Sequence, residues 1–147
     1  MTSELLIRAL HFLGMFLFAS MLLSEAILIK PKLSLDEVKR LSIIDLFYGL
    51  GAAITLICGI LLWLSVGKPA IFYTKNFIFH IKMTLFVLIG FFSIFPTIFF
   101  LKQRKSEESE ITVPSYIKTL IYVEIAFLCT MPFLAVLIAR GVGLKAD

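Results

Sequence analysis

Long runs of apolar residues, separated by short polar segments, dominate the pattern along this chain. A hydrocarbon core of about 30 Å requires about 20 apolar residues in a helix, so each long run predicts a membrane-spanning helix. Four runs reach that length: residues 5–29, 43–66, 77–101 and 116–139. The pattern predicts an all-α fold, an integral membrane four-helix antiparallel bundle, with residues 1–147 forming a single transmembrane domain.

Polar residues between the runs predict where the helices begin and end. Ser34 and Glu37 have the spacing of a capping box, which places the start of the second helix near Leu35, before its apolar run. Three further signals mark helix ends: Gly67-Lys68-Pro69 after the second helix, Asn76 before the third and Pro114 before the fourth.

Composition agrees with the pattern and excludes other classes of protein. Of the 147 residues, 60% are hydrophobic and 16% are charged, and the mean hydropathy is +1.01. A soluble domain of this length could not bury so much apolar surface in one core. The formal net charge of +4 suits lipid headgroups, and no basic cluster with interleaved aromatic residues indicates a nucleic-acid partner.

The distribution of basic residues predicts the orientation. An even number of spans places both termini on one side of the membrane, called side A, and the loops after the first and third spans on the opposite side B. Side B carries Lys30, Lys32, Lys39, Arg40, Lys102, Arg104, Lys105 and Lys118, and side A carries Arg8, Lys68, Lys75, Arg140 and Lys145. The positive-inside rule then predicts that side B faces the cytoplasm and that both termini lie outside, which is the periplasm for a bacterial inner-membrane protein.

The chain's two histidines, His11 and His80, are expected at one depth. They lie near the side-A ends of the first and third spans, about 5–10 Å below the membrane boundary at about 1.5 Å per residue. Parallel helices are commonly diagonal in an antiparallel bundle, which leaves room for a flat cofactor. We therefore predict haem b between helices one and three, with His11 and His80 as metal ligands.

Other residues near the histidines suit this cofactor. Aromatic side chains are available to surround it: Phe12, Phe16, Phe79, Phe86 and Trp63. Cations toward side A could pair with its propionates: Arg8, Lys75 and Lys82. Met15 and Met83 leave His/Met ligation open. Histidines that only bond to neighbouring helices are the competing interpretation, whereas zinc lacks donors here and copper ranks below haem.

A second candidate site lies toward side B. Three acids cluster there by depth: Glu25, Asp45 and Glu124. Asp45 is expected to cap a helix or to pair with Arg40 at the surface. Glu25 and Glu124 are the candidate catalytic residues, and they would serve a proton path, a quinone headgroup or simple interfacial hydrogen bonding.

Several motifs carry a family resemblance. They are ALHFLG at 9–14, the RL…GILLWL pattern of 40–64, FHIK at 79–82, and Glu124 followed by Pro132. Over nearly its whole length the chain resembles an uncharacterised family of predicted four-helix bacterial membrane proteins. More distantly, it resembles the HemJ-type protoporphyrinogen oxidases.

The distant resemblance implies haem b and oxidation of a porphyrinogen. His11 matches the helix-one histidine of those oxidases, His80 and Lys82 match their H-x-K pair, and Glu124 matches their helix-four acid. At 23–25 this chain reads Leu-Ser-Glu where they have Leu-Pro-Arg, so an acid replaces a cation.

Three functions follow from these observations. The first is a haem b-binding electron-transfer protein, in which Arg8 and Lys82 lie near the propionates. The second is a HemJ-like oxidase, and the third is a cofactor-free structural or accessory membrane protein, so whether the chain is an enzyme is open. The expected partners are the lipid bilayer, a redox partner or quinone, and a second copy of the chain in a homo-oligomer.

Overall fold

The computed structural model describes residues 2–144, which form four long helices and three short elements. In chain order these are α1 (Thr2–Leu28), β1 (Lys32–Ser34), α2 (Leu35–Leu61), α3 (Ala70–Thr74), α4 (Phe77–Gln103), β2 (Glu110–Thr112) and α5 (Ser115–Ala139). A π-helical turn, Leu62–Val66, continues α2. The predicted all-α fold with four membrane-type helices is confirmed. Lys145, counted on side A, lies outside the described residues.

Each of the four long helices is long and apolar enough to cross a membrane. Their most apolar windows have mean hydropathies of 1.9, 2.2, 2.3 and 2.2. Large apolar side chains also cover the outside of the bundle; Leu5 is 71% exposed, Phe16 80% and Phe133 73%. Such a surface would be unfavourable in water, and it suits contact with lipid tails.

The start of α2 is set by a capping box and not by its apolar run. The Ser34 hydroxyl accepts a hydrogen bond from the Glu37 amide at 3.3 Å, and the Glu37 carboxylate accepts one from the Ser34 amide at 2.9 Å. The helix therefore begins at Leu35, as the capping signal predicts, and its first two turns precede the apolar run that starts at residue 43.

Asn76 caps the start of α4 and also contacts the segment that follows α5. Its side-chain oxygen accepts hydrogen bonds from the amides of Ile78, at 2.9 Å, and Phe79, at 3.2 Å. Its amide nitrogen donates to the Val142 carbonyl at 3.0 Å. The predicted N-cap is confirmed, and the cap also ties the segment after α5 to the start of α4.

The long helices form a square in which sequence neighbours are adjacent. The closest packing joins α1 to α2 and α4 to α5, while α2 also contacts α4 and α1 contacts α5. Helix α1 is therefore diagonal to α4, as predicted for two parallel helices of an antiparallel bundle. Helices α1 and α2 approach very closely, since a Cβ on Gly51 would lie 2.6 Å from the Phe18 backbone nitrogen.

A two-stranded antiparallel ribbon on side B joins the two helical hairpins. Strand β1 pairs with β2 so that Leu33 lies opposite Ile111, and both of these side chains are buried. The Lys32 ammonium donates to the Glu110 carboxylate at 2.6 Å, but this pair is exposed and contributes little. Sequence did not predict the ribbon, because three residues are too few to show an alternating pattern.

The apolar core lies mainly in the side-B half of the bundle. Its fully buried members there include Leu22, Leu41, Phe100, Ile117 and Ile121. In the side-A half, the buried apolar side chains of the described helices are fewer: Cys58, Phe79, Met131 and Ile138. The two ends of the bundle therefore differ in the number of buried apolar side chains, and the histidines lie in the half that has fewer.

Candidate functional site

His11 lies inside the bundle, where α1 meets the side-A part of α2. Its ring is half-buried, and its Nδ1 lies 2.9 Å from the Thr55 carbonyl oxygen. A hydrogen bond of this kind fixes the ring when Nδ1 carries the proton, and it leaves Nε2 available as an acceptor or ligand. The ring fits against Gly59, where a Cβ would come within 3.2 Å of His11 Cε1.

Lys82 is the cation that the structure brings to His11. It lies in the second turn of α4, its side chain is partly buried, and its charge is near enough to interact with the imidazole. In the described part of the chain the Lys82 ammonium belongs to none of the ion pairs, which are Arg8–Glu4, Lys30–Glu37 and Lys32–Glu110. A cation in this position would favour an anionic group beside His11.

His80 has a different environment from His11. Its side chain is exposed, and its Nε2 lies 2.7 Å from the carbonyl oxygen of Thr74, in the corner between α3 and α4. The two histidines thus bond to carbonyls of different segments, and no contact between them occurs among residues 2–144. The equal depth inferred from sequence does not bring the two rings together.

The other residues expected around a haem also fall into two groups, one inside the bundle and one on its outer surface. Phe79 is buried and its ring meets Trp63 edge-on at 5.0 Å, while Phe86 packs against Phe18. Phe12 and Phe16 instead point outward, at 65% and 80% exposed. Arg8 is also exposed and pairs with Glu4 at 2.7 Å on its own helix.

Of the residues expected to hold a haem, the structure therefore brings only His11 and Lys82 together. His11 could hold a haem iron, because the Thr55 carbonyl fixes one ring nitrogen and the other would be available to the metal. Lys82 provides a cation beside it. His80 does not face His11 in this arrangement. A site for a metal ion alone is not evident, since the described residues include no group of three or more His, Cys, Asp or Glu placed to hold one.

The three acids predicted toward side B are all buried. Glu25, Asp45 and Glu124 are 2%, 5% and 1% exposed, respectively. Asp45 accepts a hydrogen bond from the Thr97 hydroxyl at 2.8 Å, so the expected surface pair with Arg40 is wrong. The Asp45 side chain lies on the inward face of α2, whereas Arg40 is exposed. We call Glu25, Asp45 and Glu124 the acidic cluster.

Tyr48 connects helices within this cluster. Its hydroxyl donates to the Glu124 carboxyl at 2.6 Å, and Ser93 of α4 also interacts with it. Sequence reasoning did not assign these partners. A signal was present, because Asp45 and Tyr48 lie three residues apart on α2, and Ser93 and Thr97 lie four apart on the apolar α4, so each pair shares a helix face.

Comparison with known proteins places this chain in a family. Residues 3–143 match the family model described as "Predicted membrane protein (DUF2214)", and the chain belongs to that family of membrane proteins of unknown function. The membership predicted from the motifs is confirmed. No curated protein and no solved structure matches, and the resemblance to HemJ-type oxidases stays a prediction.

Proposed function

We propose that this integral membrane protein binds haem b and transfers electrons, and that His11 would hold the haem iron. The observation that carries the proposal is the environment of His11: a half-buried imidazole held by the Thr55 carbonyl, with the Lys82 charge close enough to interact with it. Burying an imidazole in a membrane span is costly, and a bound iron would offset that cost.

Lys82 has the second role in this proposal. Its ammonium lies in the interior near His11 and would pair with a haem propionate. Bound haem b supplies one-electron exchange at its iron. The protein's own contribution is to hold the His11 ring in one tautomer through Thr55, and to place a positive charge where the reduced site gains negative charge.

The test is an absorption spectrum of protein purified after expression with excess haem. Wild-type protein should show a Soret band, and His11→Ala should lower haem occupancy about tenfold or more. His80→Ala is the matched control, because His80 also lies near side A but is exposed and held by Thr74. Lys82→Gln should keep the haem and lower its midpoint potential, because the lost cation favoured the reduced form.

Two results would contradict this proposal. A colourless wild type after expression with excess haem would leave the cofactor-free structural role. Haem retained unchanged in His11→Ala would exclude His11 as a ligand. Turnover of a porphyrinogen by the haem-loaded protein would extend the proposal to the oxidase class; no feature of the described geometry specifically favours that reaction.

We further propose a bacterial inner-membrane location with both termini in the periplasm. The support is the excess of Lys and Arg in the side-B segments. In this orientation His11 lies toward the periplasm. The partner that exchanges electrons with the haem is then a quinone or a redox protein that reaches the side-A half. Association into a homo-oligomer stays a prediction.

A further inference from the structure

Every one of the four long helices contributes a polar side chain to one layer of the bundle interior. Glu25 comes from α1, Asp45 and Tyr48 from α2, Thr97 from α4, and Glu124 from α5. Glu25 is close enough to both other acids for their charges to interact. The acidic cluster is therefore one continuous feature and not three separate buried acids.

We propose that the acidic cluster is a proton-binding site, in which Glu25 and Glu124 each hold a proton at neutral pH and exchange it with side B. The proposal is independent of haem binding, because the cluster lies in the opposite half of the bundle from His11. Its ligand is the proton, and the site would suit a protein that couples its activity to proton uptake.

The first argument is the lack of a compensating cation. The described ion pairs all lie at the surface and none includes a member of the cluster. On α4, the groups that face the cluster are the hydroxyls of Ser93 and Thr97, and Arg104 at the end of that helix bonds to Ser42 instead. A buried carboxylate without a counter-ion costs several kcal/mol, and protonation removes that cost.

The second argument is the hydrogen bonding of the two glutamates. Glu25 Oε1 and Glu124 Oε1 are buried, and neither has a hydrogen-bond partner among residues 2–144. The other oxygen of Glu124 accepts from Tyr48, which is the only tyrosine buried among the described residues. Carboxylates accept but cannot donate, so two neighbouring ionised acids leave oxygens unsatisfied, whereas a protonated acid provides a donor.

The third argument is access from side B. A cavity of about 320 Å³ lies between the segment after α1 and the start of α5. Its lining residues include Lys30, Val113, Ser115, Lys118, Thr119 and Tyr122. The Tyr122 hydroxyl reaches the carbonyl of Ala26, the residue next to Glu25, at 3.5 Å. No member of the acidic cluster lines this cavity, so it marks the side of the bundle from which protons would reach the cluster and not a complete path.

A hydrophobic carbodiimide tests whether the acids are protonated. Dicyclohexylcarbodiimide takes the proton of a carboxylic acid on nitrogen and is attacked at its central carbon by the carboxyl oxygen, which leaves an adduct detectable by peptide mass spectrometry. We expect labelling of Glu25 or Glu124 at neutral pH that falls as the pH rises. The Glu25→Gln variant should lose the label at position 25, and the Glu124→Gln variant should lose the label at position 124. Glu107, which is exposed in the loop before β2, should stay unlabelled.

Infrared spectroscopy of the full-length protein provides a second measurement that does not depend on reagent entry. The wild type should show the carbonyl band of a protonated carboxyl group, and the band should decrease in each glutamine variant but not in Glu107→Gln. Transfer to D₂O should shift the band while the protein stays folded, because the proposed site exchanges its protons. All of these measurements work on haem-free protein, so their failure is distinct from failure of the haem proposal.

The proposal has three contradicting outcomes. If the protonated-carboxyl band is absent and neither glutamate is labelled, both acids are ionised and the site is not a proton site. If the band survives in the double variant Glu25→Gln/Glu124→Gln, the proton is bound elsewhere. If the band is present but does not shift in D₂O until the protein unfolds, the acids are structural and no exchange occurs.

Discussion

At the scale of single residues, one position shows how little room the bundle interior leaves. A Cβ on Gly51 would lie 2.6 Å from the backbone nitrogen of Phe18 and 3.1 Å from the carbonyl oxygen of Gly14. Backbone atoms cannot rotate aside as the end of a long side chain can. Glycine at position 51 is therefore what allows α1 and α2 to approach so closely, as small residues do between membrane helices.

Gly51→Ala should accordingly destabilise the protein by about 1–3 kcal/mol through overpacking. Gly49→Ala is the matched control on the same helix, because a Cβ there meets nothing within 4 Å. Alanine is the better helix former by about 1 kcal/mol, so the control should be neutral or slightly stabilising. Thermal unfolding in detergent measures both, and equal melting temperatures for the two variants would contradict the proposed close contact.

At the scale of helices, the sequence predicts where helices end and how deep residues lie better than it predicts which side chains point into the bundle. The caps at Ser34 and Asn76 were predictable because a hydroxyl or amide at a fixed spacing satisfies free backbone amides. It was not predictable from sequence that the His11 side chain points into the bundle and the His80 side chain points outward. These helices are largely apolar on all faces, as suits contact with lipid. Their sequences therefore do not show which face points inward, and packing against the neighbouring helices decides the rotation of each helix about its axis.

The same limit applies to the acids. Spacing along the chain placed Glu25, Asp45 and Glu124 together toward side B, with Asp45 at the surface, whereas the structure buries all three. Depth alone could not show that Asp45 would bond to Thr97 and Glu124 to Tyr48, because those contacts depend on which helices are adjacent or diagonal. The candidate site was therefore predictable as a set of residues and not as a set of contacts.

Asn76→Ala tests the role of a cap in joining elements. The substitution removes two acceptor bonds at the start of α4 and the donor bond to the Val142 carbonyl. Loss of the cap costs about 1–2 kcal/mol, and the unpaired carbonyl adds about 1 kcal/mol or more. Ser115→Ala at the start of α5 is the control, because Pro114 caps that helix without a side-chain bond. Equal stability of both variants in detergent would show that the Asn76 contacts contribute nothing.

At the scale of the whole molecule, the two ends of the bundle differ in charge, packing and polar content. The side-B end contains the ribbon, most of the basic residues and the dense core, while the side-A end contains His11, Lys82 and fewer buried apolar side chains. Orientation in the membrane therefore decides which compartment each candidate site faces.

Reporter fusions measure that orientation directly. Alkaline phosphatase fused at the C-terminus should be active, because we propose that side A is periplasmic. The same enzyme inserted after Ser106, in the side-B loop, should be inactive, and a fluorescent protein placed there should fluoresce. Cytoplasmic fluorescence from a C-terminal fusion would reverse the orientation and the compartment assigned to each site.

The ribbon of β1 and β2 also constrains the order of assembly during biosynthesis. Its strands precede α2 and α5, so β2 is synthesised only after three of the four spans, and β1 remains without its partner until then. Each helical hairpin can enter the bilayer by itself, because its backbone hydrogen bonds are internal. Pairing of the strands then occurs at the membrane surface as a late step, and it fastens two separately inserted halves into one body.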